Sequence, residues 1–277
     1  MKALAVAGCV LLAIFLLWCL LLLPRRGQPG WDPFSGVPFA HRGLHDADRG
    51  VPENSMAAFR LAVDHGFGAE LDVHLMADGR LAVVHDSDLF RVCGRHAAIE
   101  DLTAAELARY PLQGTEETIP LLEEVLALFA ERTPLIIELK VERGNAAALT
   151  DAVLAALEGW QGTYCLESFH PAVLLRLKER APEVLRGQLA QNFLGASETG
   201  PLPWAAAAAM TLLLTTLFTR PDFIAYKHQD RFCPSLRLMK ALYAVHEVAW
   251  TVRDQDTLRA LKRQGVTPIF EGFVPDP

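Results

Sequence analysis

The pattern of apolar and polar positions opens with a run free of charge, Ala3 to Leu23. As a helix its 21 residues are roughly 31 Å long, against a hydrocarbon core of about 30 Å. A cleavable signal peptide has a shorter apolar region and a small-residue exit, whereas this run ends directly in Pro24-Arg25-Arg26. Val6-Ala7-Gly8-Cys9 has the form of a lipoprotein cleavage box, but it lies too near the start and the apolar run continues past it. The pattern predicts a single-pass transmembrane anchor over residues 1–26. Lys2 and the terminal amine nearly balance Arg25 and Arg26, with a slight inclination to a cytoplasmic side for the remainder of the chain.

After a Gly- and Pro-rich linker, 27–36, strand-like and helix-like segments alternate through 37–277. The expected strands are Val37–Ala40, Ala69–Val73, Leu135–Leu139, Tyr164–Phe169, Val184–Leu189, Phe223–Tyr226, Val248–Val252 and Ile269–Phe270. A hairpin through Ala77-Asp78-Gly79 comes after the second, and helices such as Met56–Val63, Leu121–Ala130, Ala146–Leu157 and Ala172–Arg180 separate most of the rest. Eight βα repeats predict an α/β fold, a closed (β/α)₈ TIM barrel. The alternative, a doubly wound open sheet, lacks a Gly-rich phosphate fingerprint after its first strand.

Composition adds bounds. With 277 residues, 51% hydrophobic and 21% charged, there is material for one large domain, or two small ones, around a full core. A net charge of −7 argues against a nucleic-acid partner held by a general basic field. Cys9 and Cys19 lie in the apolar run, and Cys93, Cys165 and Cys233 are far apart, which fits neither a disulfide framework nor a zinc site.

Charge reappears where buried strands should end. Glu70 and Asp72, two apart on a strand, project from one face. At about 5–7 Å they repel by roughly 2–4 kcal/mol at an effective dielectric of 20. A basic partner, a raised pKa or a hard cation must offset this; a solvated surface pair is the plainer reading. His41 and Arg42, Glu138 and Lys140, Ser168, Lys227 and Trp250 fall at corresponding strand ends, where barrels of this kind build their sites.

The ordered series His41-Arg42-Gly43, Pro52-Glu53-Asn54-Ser55, Gly68-Ala69-Glu70-Leu71-Asp72-Val73, Val83-Val84-His85-Asp86, Ile119-Pro120 with Leu122-Glu123-Glu124, Glu138-Leu139-Lys140 and Trp250-Thr251-Val252 resembles the glycerophosphodiester phosphodiesterase family from about Phe39 to Val266. The resemblance implies a TIM barrel that hydrolyses glycerophosphodiesters to sn-glycerol 3-phosphate and an alcohol. It implies one divalent cation, Mg²⁺ or Ca²⁺, on Glu70, Asp72 and Glu138. His41 and His85 would be the acid/base pair, and Arg42, Glu53, Lys140 and Trp250 would serve substrate and phosphate.

Departures from the family pattern are Ser55 and Leu121 in place of Thr, and Pro268-Ile269-Phe270-Glu271-Gly272-Phe273 in place of the usual close, so Glu271 is given no role. The inserted cap, Ser87 to about Thr118, is short. Pro201–Phe218 is apolar all round and is expected to be a buried or partner-covered helix, or one that dips into the bilayer interface. His45, His65, His74, His96, His170, His228 and His246 are expected to be mostly solvated, with His45 the one placed to touch substrate. Two other functions share these residues: a lysophospholipase D acting on membrane lysophospholipids, and a silent lipid- or phosphodiester-binding barrel. Oligomeric state is left open.

Overall fold

The computed structural model describes residues 2–25, 27, 30–195 and 202–276. Arg26 of the expected anchor, part of the linker and Pro201 of the apolar stretch lie outside them. The first apolar run is one helix, α1 (Lys2–Leu21), and its stretch Leu4–Leu21, of mean hydropathy 2.9, is uncovered by the rest of the chain. By length and composition it is able to cross a membrane.

Among the described residues there are nine strands: β1 (Phe39–His41), β2 (Gly68–Leu75), β3 (Leu81–Val83), β4 (Leu135–Leu139), β5 (Tyr164–Ser168), β6 (Arg186–Ala190), β7 (Phe223–Lys227), β8 (His246–Val252) and β9 (Thr267–Phe270). All but β3 pair in parallel in chain order, and β9 returns to β1, which closes the expected eight-stranded TIM barrel. The helices are α2 (Met56–Asp64), α3 (Phe90–Cys93), α4 (Leu122–Phe129), α5 (Ala146–Leu157), α6 (Pro171–Arg180), α7 (Trp204–Thr211), α8 (Thr216–Thr219), α9 (Pro234–Tyr243) and α10 (Gln255–Arg263).

Side-chain alternation divides the core. Leu71, Val73, Ile137 and Leu166 face outward onto Phe59, Val125, Leu149 and Val173 of the surrounding helices. Phe39, Ile136, Cys165, Phe223, Val248 and Ile269 fill the barrel interior. Trp31 and Phe34 stack at 4.7 Å, and Trp31 lies 4.9 Å from Phe223, so the linker closes the N-terminal end of the barrel.

Several expectations are corrected. Strand β2 runs on to Leu75 because β3 pairs antiparallel with its far end, Val73 opposite Val83, so Glu70 and Asp72 sit inside the strand rather than at its end. The 201–218 helix is broken into α7 and α8 at Leu213, whose φ of 57° interrupts it, and neither piece is long enough to span a bilayer. The inserted segment packs Leu89, Val92, Ile99 and Leu107 against Met76, Ala82 and Val84 of the β2–β3 hairpin in a small apolar cluster. The root of α1 is fixed to the barrel: Leu22 is buried with Leu213, Ile224, Tyr226 and Met239, Tyr243 Oη donates to the Cys19 carbonyl at 2.7 Å, and Arg25 pairs with Asp222.

Gly187 is required by close packing. A Cβ there would lie 2.2 Å from the Phe223 ring in the barrel interior. Gly187→Ala is expected to cost about 1–3 kcal/mol through overpacking, measured by denaturant unfolding in detergent. An unchanged midpoint would show that the interior can shift to admit the methyl.

Candidate active site

Strand register brings the carboxylates together. Asp72 pairs with Glu138, and Glu138 with Glu167, on adjacent strands. Glu70, Asp72 and Glu138 are all buried and each offers an oxygen within 4.8 Å of the others. Burial and the charges of Asp72 and Glu138 raise the Glu70 carboxyl well above its ordinary range. Burial would do the same to Asp72, but Lys140 and other nearby cations hold it well below. Lys140 Nζ lies 2.9 Å from Asp72 Oδ1 and 2.8 Å from Glu138 Oε2, and these charges keep the ammonium protonated despite its burial.

Arg42 is held beside this cluster by an unusual backbone. Its φ is 55°, Gly43 comes next at 79°, and a Cβ on Gly43 would lie 2.9 Å from the Ala58 backbone. Such left-handed positions concentrate at functional sites. The turn lets Arg42 N donate to Glu70 Oε2 at 3.2 Å and brings Arg42 Nε to 3.4 Å from Asp72 Oδ2. Asn54, also left-handed, donates its amide to Asp72 Oδ2 at 2.9 Å.

The two candidate acid/base histidines share one arrangement. His41 Nδ1 is 2.6 Å from Glu271 Oε2, and His85 Nδ1 is 2.6 Å from Asp86 Oδ1. A carboxylate behind Nδ1 fixes the ring and leaves Nε2 for chemistry. His41 Nε2 is 3.9 Å from Glu70 Oε2. Burial and the Arg42 charge push His41 down to about 4, against the pull of Glu271, while the hydrogen bond from His41 holds Glu271 down at about 2.

These groups line one cavity of about 510 Å³, into which His41, Arg42, Glu70, His85, Glu138 and Lys140 all open. Trp250 forms part of its wall and donates Nε1 to the Ala225 carbonyl at 3.1 Å. Ser168 also lines it, its hydroxyl donating to the Leu139 carbonyl, and Lys227 lies over the Trp250 ring. Glu53 is occupied differently. It accepts from Arg42 at 2.8 Å and from both Arg91 terminal nitrogens at 2.8 and 2.7 Å. Against its burial, these contacts hold its carboxyl at about 2. His45 is not among the residues lining the cavity.

Four contributors are absent from the expected set. Glu271 backs His41. Glu167, whose carboxyl is driven upward by burial and by Glu138, lines the cavity with Oε2 unpaired. Arg91, from the insert, links Asp86 to Glu53. His74, expected to be solvated, is 1% exposed: Nδ1 is bonded to Glu100 Oε1 at 2.6 Å, and Nε2 to the His85 carbonyl at 3.1 Å. Ser87 Oγ donates to the other Glu100 oxygen at 2.6 Å. The sequence does hold a signal for His74: Glu70, Asp72 and His74 fall two apart on one face of the strand. Glu271 lies just past the end of β9, the position that flags the other site residues.

Three buried hard oxygen donors converging inside the barrel, with no sulfur or imidazole among them, fit a hard divalent cation such as Mg²⁺ or Ca²⁺.

A profile of the glycerophosphoryl diester phosphodiesterase family matches residues 41–274. The chain is 36% identical over 157 residues to a glycerophosphodiester phosphodiesterase of Bacillus altitudinis, covering 53% of this chain and 63% of that protein. It is 41% identical over 102 residues to the lysophospholipase D GDPD1 of Rattus norvegicus, covering 32% of each. The matched segments thus span less than two thirds of either relative's length. Among solved structures, an Oleispira antarctica phosphodiesterase in complex with sn-glycerol-3-phosphate has a TM-score of 0.70 at 24% identity, covering 86% of this chain and 93% of that one. This likeness speaks for the fold.

The His74–Glu100–Ser87 network should act through the backbone of His85. His74→Ala is expected to lower kcat about 10–100-fold with little change in KM, in line with losses on removing outer-shell partners of a site. Steady-state kinetics beside an unfolding curve checks it. An unaltered kcat in a folded variant would reduce the network to packing.

Proposed function

The chain belongs to the glycerophosphoryl diester phosphodiesterase family, and on that premise we propose that it hydrolyses glycerophosphodiesters to sn-glycerol 3-phosphate and an alcohol. The observation that carries this reading is the pair of carboxylate-backed imidazoles, His41 and His85, opening on one cavity with Glu70, Glu138 and two cations. Glu70, Asp72 and Glu138 would hold one divalent cation. When bound, that ion polarises a phosphoryl oxygen and offsets the charge that develops on it.

The chain's own residues supply the rest. Arg42 suits bidentate contact with a phosphate, and Lys140 adds a compact positive charge. One imidazole takes the proton from the attacking water at its Nε2 and the other returns a proton to the departing alkoxide; where a substrate hydroxyl attacks instead, the cyclic phosphate it forms is opened by water in a second exchange of the same kind. Glu271 and Asp86 keep both rings oriented for this. Glu53 positions Arg42 rather than facing substrate, and Trp250 offers the glycerol moiety a flat wall.

A second reading makes a lysophospholipid the substrate. Phe169, Leu189, Leu202 and Met210 give the same cavity an apolar side suited to an acyl chain. In either case α1 serves as a membrane anchor.

The test is turnover by the detergent-solubilised full chain of glycerophosphocholine and of lysophosphatidylcholine, each with Mg²⁺, Ca²⁺ or EDTA. We expect metal-dependent choline release, abolished by EDTA and reduced roughly 10²–10⁴-fold in His41→Ala and His85→Ala. Activity that survives EDTA would remove the metal from the reading. Absence of turnover on both substrates would favour a silent binding barrel.

A further inference from the structure

The apolar surface that the chemistry leaves unused is a rim around the site mouth. It comes from the loops after β6 and β7, which open on the face of the barrel that carries the site. Leu194, Leu202 and Trp204 belong to the first and its helix, Phe232 to the second. Trp204 is 77% exposed, Phe232 67% and Leu194 52%. Large exposed apolar side chains on loops beside a site mark a surface that is covered in use.

Three further observations say by what. Leu202 lies both on the rim and in the cavity wall, beside Met210, so apolar surface continues from the mouth inward. The Arg231 and Arg237 guanidiniums lie 5.7 and 5.8 Å from the Phe232 ring, and aromatic rings flanked by arginine suit the headgroup region of a bilayer. The root of α1 docks in the same sector. Thr216 of α8 donates to the Leu21 carbonyl, Tyr243 of α9 donates to that of Cys19, and α7–α8 and α9 are the helices that come after these two loops. The helix able to cross a membrane and the rim therefore lie in one angular sector of the barrel, the helix root at its N-terminal end and the rim at the site end. A covering protein would also hide the rim, but it would owe nothing to α1.

We propose that Leu194, Leu202, Trp204 and Phe232 seat in the headgroup region of the bilayer that holds α1, so that the site mouth opens at the lipid surface and admits substrate from it. What the mouth admits rests on the phosphodiesterase reading; the seating does not.

The full chain would be placed in phosphatidylcholine vesicles whose acyl chains are brominated near the headgroup, and its tryptophan emission compared with that of Trp204→Phe. Of the five tryptophans, Trp18 of the anchor and Trp204 are those set to meet lipid, so the substitution should remove about half of the quenched intensity. Equal quenching in the two proteins would overturn the seating. A second variant carries Trp204→Glu and Phe232→Glu, neither of which lines the cavity. Its turnover of lysophosphatidylcholine in vesicles should fall about tenfold while turnover of soluble glycerophosphocholine is unchanged. Equal effects on both substrates, or turnover of the soluble diester alone by the unaltered protein, would overturn entry from the lipid. Turnover of neither would sink the phosphodiesterase reading and leave the quenching result to decide the seating.

Discussion

Three carboxylates held inside a barrel are the constraint around which the rest is arranged. Within 4.8 Å of one another, like charges on Glu70, Asp72 and Glu138 repel pairwise by about 3 kcal/mol or more at an effective dielectric of 20. Lys140 lies between two of them, Arg42 beside the third, and the Asn54 amide on Asp72. To reach its place Arg42 adopts a left-handed backbone, which in turn requires the glycine behind it. Sequence features scattered over a hundred residues thus answer one electrostatic problem. Burial first, and then the neighbouring carboxylates, still leave Glu70 and Glu138 raised.

Much of this is legible in the sequence. The barrel comes from eight apolar segments separated by helical ones, and the strand registers bring Glu138, which the family resemblance points to, beside Glu70 and Asp72, whose spacing puts them on one face. What the pattern misses has physical causes. A strand lengthened by hairpin pairing cannot be told from a shorter one with a turn after it, so His74 reads as the start of a solvated loop. Glu100 lies in the insert, where short 3₁₀ turns have no period to read, and nothing local announces that it faces His74. Glu271 sits in a motif that departs from the family's, although its place just beyond the last strand is the stronger clue. The apolar stretch before Phe218 gives no sign of the break at Leu213, because a leucine is rarely the residue that turns left-handed.

The insert does more than cover the barrel. Arg91, on the four-residue helix α3, grips Asp86 and Glu53 together, and these stand behind His85 and Arg42 respectively. The same insert supplies Glu100 beneath the His85 loop. Its apolar cluster, shared with Met76, Ala82 and Val84 of the β2–β3 hairpin, is smaller than that of the barrel, so the insert is expected to open at a smaller free energy than global unfolding. Opening the insert would take Arg91 from Asp86 and Glu53 and Glu100 from His74, loosening the support behind His85 and Arg42, and apparent affinity scales with the fraction of molecules in the competent state. The smallest core is therefore expected to set the working temperature, with activity fading on warming while the barrel is still folded.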